Sequence, residues 1–192
     1  MLFRSAGAVA AIVALRAAAG GDLRTAFLCL FAAIVIDASD GLLARRVDVR
    51  GRLPQIDGGR LDDVVDYLTY VFVPAAIALE TDLVTGWGRL AVVPMLLSSA
   101  LRFAHADAKT HDHFFTGFPS YWNIVIFYMW VMRLSSTVNA AVLVGLSLIV
   151  LAPIPFVYPS RTPRWRSFTV GLGTFWAAQV LLMIWWLPAP PE

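Results

Sequence analysis

Hydrophobic and polar positions along this chain fall into long apolar blocks separated by short polar ones. Seven apolar segments run at about 5–20, 23–45, 59–80, 84–106, 118–133, 136–158 and 166–187. Most approach the roughly 20 residues that a helix needs to cross a bilayer. The pattern predicts an all-α polytopic membrane protein of about seven transmembrane helices, forming one integral-membrane domain over residues 1–192. Arg16 interrupts the first segment, which is therefore expected to tilt or to lie partly in the interface. Met1–Arg4 leads into that segment without a convincing cleavage site, so no cleavable signal peptide is expected. The terminal Pro188-Ala-Pro-Pro-Glu192 cannot continue a helix.

Composition agrees with the blocks. Hydrophobic residues make up 59% of the chain and charged ones 15%, against the quarter or so expected of a soluble domain. The single Cys29 excludes an intrachain disulfide. The net charge of +2 matters less than where the basic residues lie. With the first residues cytoplasmic, one side of the membrane holds Arg4, the Arg45–Arg60 group, Arg102, Lys109 and Arg161–Arg166, which together are eleven of fifteen. Arg24, Arg89 and Arg133 fall on the other side. The asymmetry predicts that the connector between the second and third segments faces the cytoplasm.

That connector is flanked by carboxylates. Asp37 and Asp40 close the second segment, and Asp62 and Asp66 open the third. Asp37, Asp40 and Ala44 are spaced i, i+3, i+7, and Gly58, Asp62 and Asp66 are spaced i, i+4, i+8, so each set shares one helix face. An antiparallel pair of helices then points four carboxylates into one pocket. Ionised acids that close repel one another, which calls for bound divalent cations. Oxygen donors without His or Cys favour Mg, Mn or Ca. Gly41, Ala44 and Gly58 remove bulk beside the acids, and Arg45 offers a fork of donors to phosphate oxygens. A pair of such cations clamps a diphosphate and stabilises its leaving oxygen, while a carboxylate not fully committed to metal takes a proton from an attacking hydroxyl. Asp57 and Asp63 read instead as solvated residues at a helix start.

The ordered residues Asp37, Asp40, Gly41, Ala44, Arg45, Gly58, Asp62 and Asp66 resemble the DxxDGxxAR…GxxxDxxxD signature of the CDP-alcohol phosphotransferase family. Twelve residues separate Arg45 from Gly58, a longer loop than most members have. In that respect the chain is similar to the bacterial phosphatidylcholine synthase branch. The strings Leu53-Pro54, Val64-Val65-Asp66-Tyr67, Thr69–Pro74, His105–Thr110, Phe114–Pro119 and Trp122-Asn123 also look like that branch. The likeness runs from about Ser5 to Trp186, with Ala38-Ser39 departing from the branch's usual pair.

The resemblance implies a six-helix core plus one further helix, in a bacterial inner membrane with the active site facing the cytoplasm. It implies Asp37, Asp40, Asp62 and Asp66 as ligands of two Mn or Mg ions, with Asp66 also the catalytic base. Asp40, Gly41, Ala44, Arg45 and Gly58 would meet the nucleotide and diphosphate. The activity implied is transfer of a phosphatidyl group from CDP-diacylglycerol to choline with release of CMP, by a possible homodimer. Choline is recognised by aromatic faces, and Tyr67, Tyr70, Phe115 and Trp122 are the candidates for that role. Interfacial enrichment of aromatics explains the same residues without a ligand. Another acceptor alcohol, such as serine, inositol phosphate or glycerol phosphate, keeps the chemistry. A divalent-cation transporter would also place acids in a membrane. The stretch His105, Asp107, His111, Asp112, His113 reads as a hydrophilic connector, and Arg161, Arg164 and Arg166 as a topology signal with some attraction for anionic lipid.

Overall fold

A computed structural model of the protein describes residues 2–47, 57–104, 114–116, 118–152, 155–157 and 166–187, and within these ranges it leaves aside the side chains of 2–4, 40–47, 114–116, 155–157 and 166–167. Among the described residues the chain is a helical bundle with one short ribbon. Helix α1 spans Leu2–Ala19 and α2 spans Leu23–Val47. A long rod follows, made of α3 (Gly58–Asp66), a wide π turn (Tyr67–Phe72) and α4 (Val73–Glu80). A 3₁₀ stretch, Gly86–Ala91, leads into α5 (Val92–Ala104). Then come β1 (Phe114–Thr116), α6 (Trp122–Met132), α7 (Ser136–Leu151), β2 (Pro155–Val157) and α8 (Arg166–Trp185).

The first hairpin is set by its turn. Gly21 adopts φ +78°, a conformation that costs glycine little, and the Asp22 amide reaches back to the Ala17 carbonyl at 2.8 Å. Asp22 then caps α2 by accepting from the Thr25 amide at 3.0 Å. Small residues line the hairpin's interior: Ala11, Ala14 and Ala18 of α1 and Ala26 and Ala33 of α2 are all buried. They let the two backbones approach closely, the usual device for packing helices that water does not push together. α1 also crosses α3, and a Cβ added at buried Gly7 would come within 2.5 Å of Val65 Cγ1.

The rod bends its own rules at Pro74. Proline lacks the amide that would bond the Tyr70 carbonyl and its ring crowds that carbonyl. The turn before it widens, and the Val73 amide donates to the Leu68 carbonyl five residues back. Thr69 covers part of the opened ladder, donating its hydroxyl to the Val65 carbonyl at 3.0 Å. At the far end of the bundle, Asn139 is fully buried and donates to the carbonyls of Leu83 at 2.7 Å and Leu134 at 3.3 Å. One amide thus ties the loop after α4 to the loop after α6. Ser136 Oγ accepts from the Thr85 amide at 2.8 Å and reinforces the same corner.

Among the described residues, seven helical rods fall within the seven apolar segments, counting α3 through α4 as one. Three details differ from the sequence reading. The segment expected to be helical to 158 stops at Leu151, because Pro153 forces Ala152 into an extended conformation (ψ 139°) and Pro155 repeats the break. β2 follows and pairs antiparallel with β1, Phe115 opposite Phe156, adding one short ribbon to a fold that is otherwise all-α among the described residues. The segment expected from 118 becomes helix only at Trp122. By length and apolarity, one described helix, Phe168–Trp185, suffices to cross a bilayer by itself; Ser5–Ala19, Trp122–Met132 and Ser136–Leu151 are apolar but shorter. The outward faces are nevertheless apolar: Ile12, Leu97, Leu148 and Leu172 are each more than half exposed.

Candidate active site

The acidic residues meet where α2 ends and α3 begins. Asp57 caps α3, accepting from the amides of Gly59 at 2.9 Å and Arg60 at 3.3 Å, and pairs with Arg60 Nε at 3.4 Å. The cap starts the helix on time, and one and two turns later Asp62 and Asp66 lie on the face turned towards α2. There they meet Asp37. One carboxylate oxygen from each of the three lies within 4.8 Å of the others, and all three side chains are half-buried.

Such a trio is expensive without a counter-charge. At 4.8 Å and an effective dielectric near 20, each ionised pair repels by about 3.5 kcal/mol, and there are three pairs. The donor set is oxygen only, suited to a hard divalent cation rather than to zinc or copper. The trio could therefore hold such an ion, and the residues present fit one.

A tyrosine stands behind the acids. Tyr70 is buried, and its hydroxyl donates to Asp37 Oδ2 at 2.9 Å. Its ring packs against Tyr121, centroids 5.5 Å apart and tilted by 53°. The π turn puts Tyr70 there. The bond therefore depends on a widening of the helix that heptad-like spacing does not reveal. Pro74, four residues on, was the available signal.

The other sequence candidates fall in several places. Gly58 opens α3. Asp40, Gly41, Ala44 and Arg45 lie along the last turns of α2, and their side chains are outside those described. Phe115 belongs to β1, also without a described side chain. Tyr67 packs edge-on against Phe103 at 5.9 Å and donates its hydroxyl to the Leu96 carbonyl at 3.2 Å. Trp122 has no exposed surface; its indole N–H donates to Ser99 Oγ at 2.8 Å and its ring packs against Phe118. Of Tyr67, Tyr70 and Trp122, the named aromatics whose side chains are described, Tyr70 is the one with a hydrogen bond given to an acid of the trio. Tyr121, exposed at 42%, is the open aromatic beside it. The histidine-rich connector, 105–113, and Arg161 and Arg164 lie outside the described residues.

Fold and site together define a helical protein with apolar outer faces and a carboxylate centre suited to a divalent cation. Comparison with known proteins narrows this. The chain is 45% identical over 134 residues to the phosphatidylcholine synthase of Legionella bozemanae, covering 69% of this chain and 62% of that protein. It is 45% identical over 135 residues to the phosphatidylcholine synthase of Legionella pneumophila, of which it covers 51%. Against the phosphatidylcholine synthase of Pseudomonas aeruginosa it is 34% identical over 186 residues, 96% of this chain and 78% of that protein. The chain thus spans half to about three fifths of the length of the two Legionella relatives. No family model matches it. The chain belongs to the phosphatidylcholine synthase family.

Proposed function

We propose that the protein transfers the phosphatidyl group of CDP-diacylglycerol to choline, giving phosphatidylcholine and CMP. The observation that carries this reading is the meeting of Asp37, Asp62 and Asp66, within 4.8 Å, in a chain whose relatives are phosphatidylcholine synthases. Asp37, Asp40, Asp62 and Asp66 would hold two Mn or Mg ions, which when bound would clamp the diphosphate and neutralise charge on its leaving oxygen. The protein's own residues do the rest. Asp66 takes the proton of the choline hydroxyl. The oxygen so freed bonds to the phosphorus that carries diacylglycerol, the bond from that phosphorus to the CMP phosphate oxygen breaks, and CMP leaves with the electron pair. Arg45 holds phosphate oxygens in its fork, and Gly41, Ala44 and Gly58 leave room for the nucleotide. Tyr70 keeps Asp37 turned towards the site through its 2.9 Å bond.

For the trimethylammonium group, the exposed face of Tyr121 beside Tyr70 is the best-placed aromatic surface among the described side chains. In this reading the seven rods cross a bacterial inner membrane, their exposed apolar faces towards lipid and the acids towards the cytoplasm, in a homodimer. The test is CMP release by purified protein given CDP-diacylglycerol, Mn and a single alcohol. Release with choline alone is expected. Release only with serine, inositol phosphate or glycerol phosphate would keep the aspartate chemistry and overturn the acceptor. No release with any alcohol, from folded and metal-loaded protein, would overturn the transferase.

A further inference from the structure

The end of the bundle away from the acids carries a cleft of about 580 Å³, a usual size for a small-ligand site. It opens between the loop after α4, the end of α6 and the end of α8, and Asp82, Trp130, Arg133 and Trp186 line it. Helix α6 sets its distance from the acids. Tyr121 precedes that helix beside Tyr70, and Arg133 closes it after 11 residues, about 16 Å along the axis. Two of the walls are fastened to each other. Buried Asn139 donates to the carbonyls of Leu83 and Leu134, and both leucines line the cleft, so the two loops keep their spacing before anything binds.

Charge at this end is unevenly matched. Arg89 Nη2 donates to Asp82 Oδ1 at 2.8 Å, which neutralises the acid of the cleft. Arg24 lies over the Trp185 ring, 4.4 Å from its centroid. Arg133 has no ion-pair partner among the described residues, so the cleft keeps one uncompensated positive charge. Arg133 also stands where glycine would be relaxed. It closes α6 in the left-handed region, φ 50° and ψ 43°, the position that helices most often give to glycine. Asp82 adopts φ +52° on the facing wall. Two of the three non-glycine residues with positive φ among those described therefore line this one cleft, and strain of that kind gathers at ligand sites.

We infer that this cleft binds the phosphate of a phospholipid headgroup, from the leaflet opposite the acids, with Arg133 as the charge that holds it. A guanidinium presents a planar fork of donors to phosphate oxygens. The surroundings favour a lipid over a soluble anion. Trp87, Trp185 and Trp186 are 89%, 71% and 83% exposed at this end, and indoles so placed sit where headgroups meet acyl chains. Leu83, Leu134 and Met183 give the cleft an apolar side, suited to a glycerol backbone rather than to a hydrated ion. Such a site requires the rods to cross a membrane, as proposed above, and requires nothing of the transfer chemistry. The lipid held there is a resident of the far leaflet, separate from the substrate at the acids.

The test is thermal unfolding of the full chain in detergent with EDTA, titrated with phosphatidylglycerol, with diacylglycerol of the same chains, and with inorganic phosphate. Phosphatidylglycerol is expected to raise the wild-type Tm, and diacylglycerol to leave it unchanged. Arg133→Gly is expected to melt within about 2 °C of wild type without lipid, since glycine accepts the left-handed conformation. It should need about tenfold more phosphatidylglycerol for half the rise. Arg24→Leu, which removes an arginine that does not line the cleft, should leave the lipid curve as it is. Should Arg133→Gly not fold, Arg133→Asn also tolerates the left-handed region and replaces it. An unchanged lipid curve in the Arg133 variant would overturn the inference. So would an equal loss in Arg24→Leu, which would mean general attraction for anionic lipid, or an equal response to diacylglycerol. Inorganic phosphate acting through Arg133 at the same concentration as the lipid would overturn the lipid as occupant. The expected lipid response in a protein that releases no CMP with any alcohol would support this site and overturn the transferase.

Discussion

Removing one charge from the carboxylate trio should make the metal-free protein more stable. In Asp62→Asn, two of the three repulsive pairs disappear. With one oxygen from each residue within 4.8 Å of the others, that relief is up to about 7 kcal/mol at an effective dielectric near 20. The side chains are half-buried, so solvent screening reduces it; about 2 kcal/mol is a reasonable net figure. For a chain of 192 residues that corresponds to about 4–8 °C in Tm. The assay is thermal unfolding in detergent, first with EDTA and then across a Mn titration. Wild type should melt lower in EDTA and climb with Mn, since a cation that binds only the folded state stabilises it by mass action. Asp62→Asn should start higher and climb little, so the two curves cross. Identical melting in EDTA together with identical Mn shifts would refute the reasoning, because the three acids would then be neither repelling one another nor sharing an ion.

Other perturbations probe different parts of the structure. Tyr70→Phe removes the hydroxyl bonded to Asp37 and should raise the Mn concentration for half-maximal stabilisation by about tenfold, with the fold intact by circular dichroism. Asp66→Asn should nearly abolish CMP release while CDP-diacylglycerol still shifts the melting temperature; turnover like that of wild type would remove Asp66 as base. Gly7→Ala brings a Cβ to 2.5 Å from Val65 Cγ1 and should cost about 1–3 kcal/mol, whereas Gly171→Ala, with nothing within 4 Å, should cost far less in the same melt. Asp22→Ala should lose about 1 kcal/mol of helix capping at neutral pH. The hydrogen bonds from Thr25 hold the Asp22 carboxyl below its ordinary value of 3.8. The stabilisation is therefore present above about pH 4 and lost as pH falls through the folded value, so wild type and variant should converge in acid melts.

What the sequence made legible follows from the range of the forces involved. Apolar blocks mark helices because a buried or lipid-facing segment must satisfy its backbone internally, and among the described residues each block contains a rod. Asp62 and Asp66 were readable as one face because i, i+4 spacing is local, and the packing of the described helices brings Asp37 to them. Pro153 and Pro155 were equally local signals; given their proper weight they end the helix at Leu151 and leave room for β2. Trp122 looked like a ligand-facing aromatic, but only its packing partners show that its indole is spent on Ser99 inside the core. Tyr70 reaches Asp37 through a widened turn and a partner 33 residues away, and neither follows from periodicity. Asn123 belongs in sequence to a string that resembles the branch, while its unpaired donor is visible only with α2 and α8 packed beside it.

The wide turn at Tyr67–Phe72 also separates two halves of one rod in phase. In an α-helix each residue advances the azimuth by about 100°, so an extra residue absorbed in a turn rotates everything downstream by that angle relative to everything upstream. On the acid side, α3 buries Val65 alone; beyond the turn, α4 buries Val73, Pro74, Ala75, Ile77 and Ala78, nearly its full circumference. The two faces are thereby aimed independently by one local offset. A single deletion within the turn would swing the half beyond it against the half that carries Asp62 and Asp66. The length of this stretch therefore matters as well as the identity of Tyr70 within it.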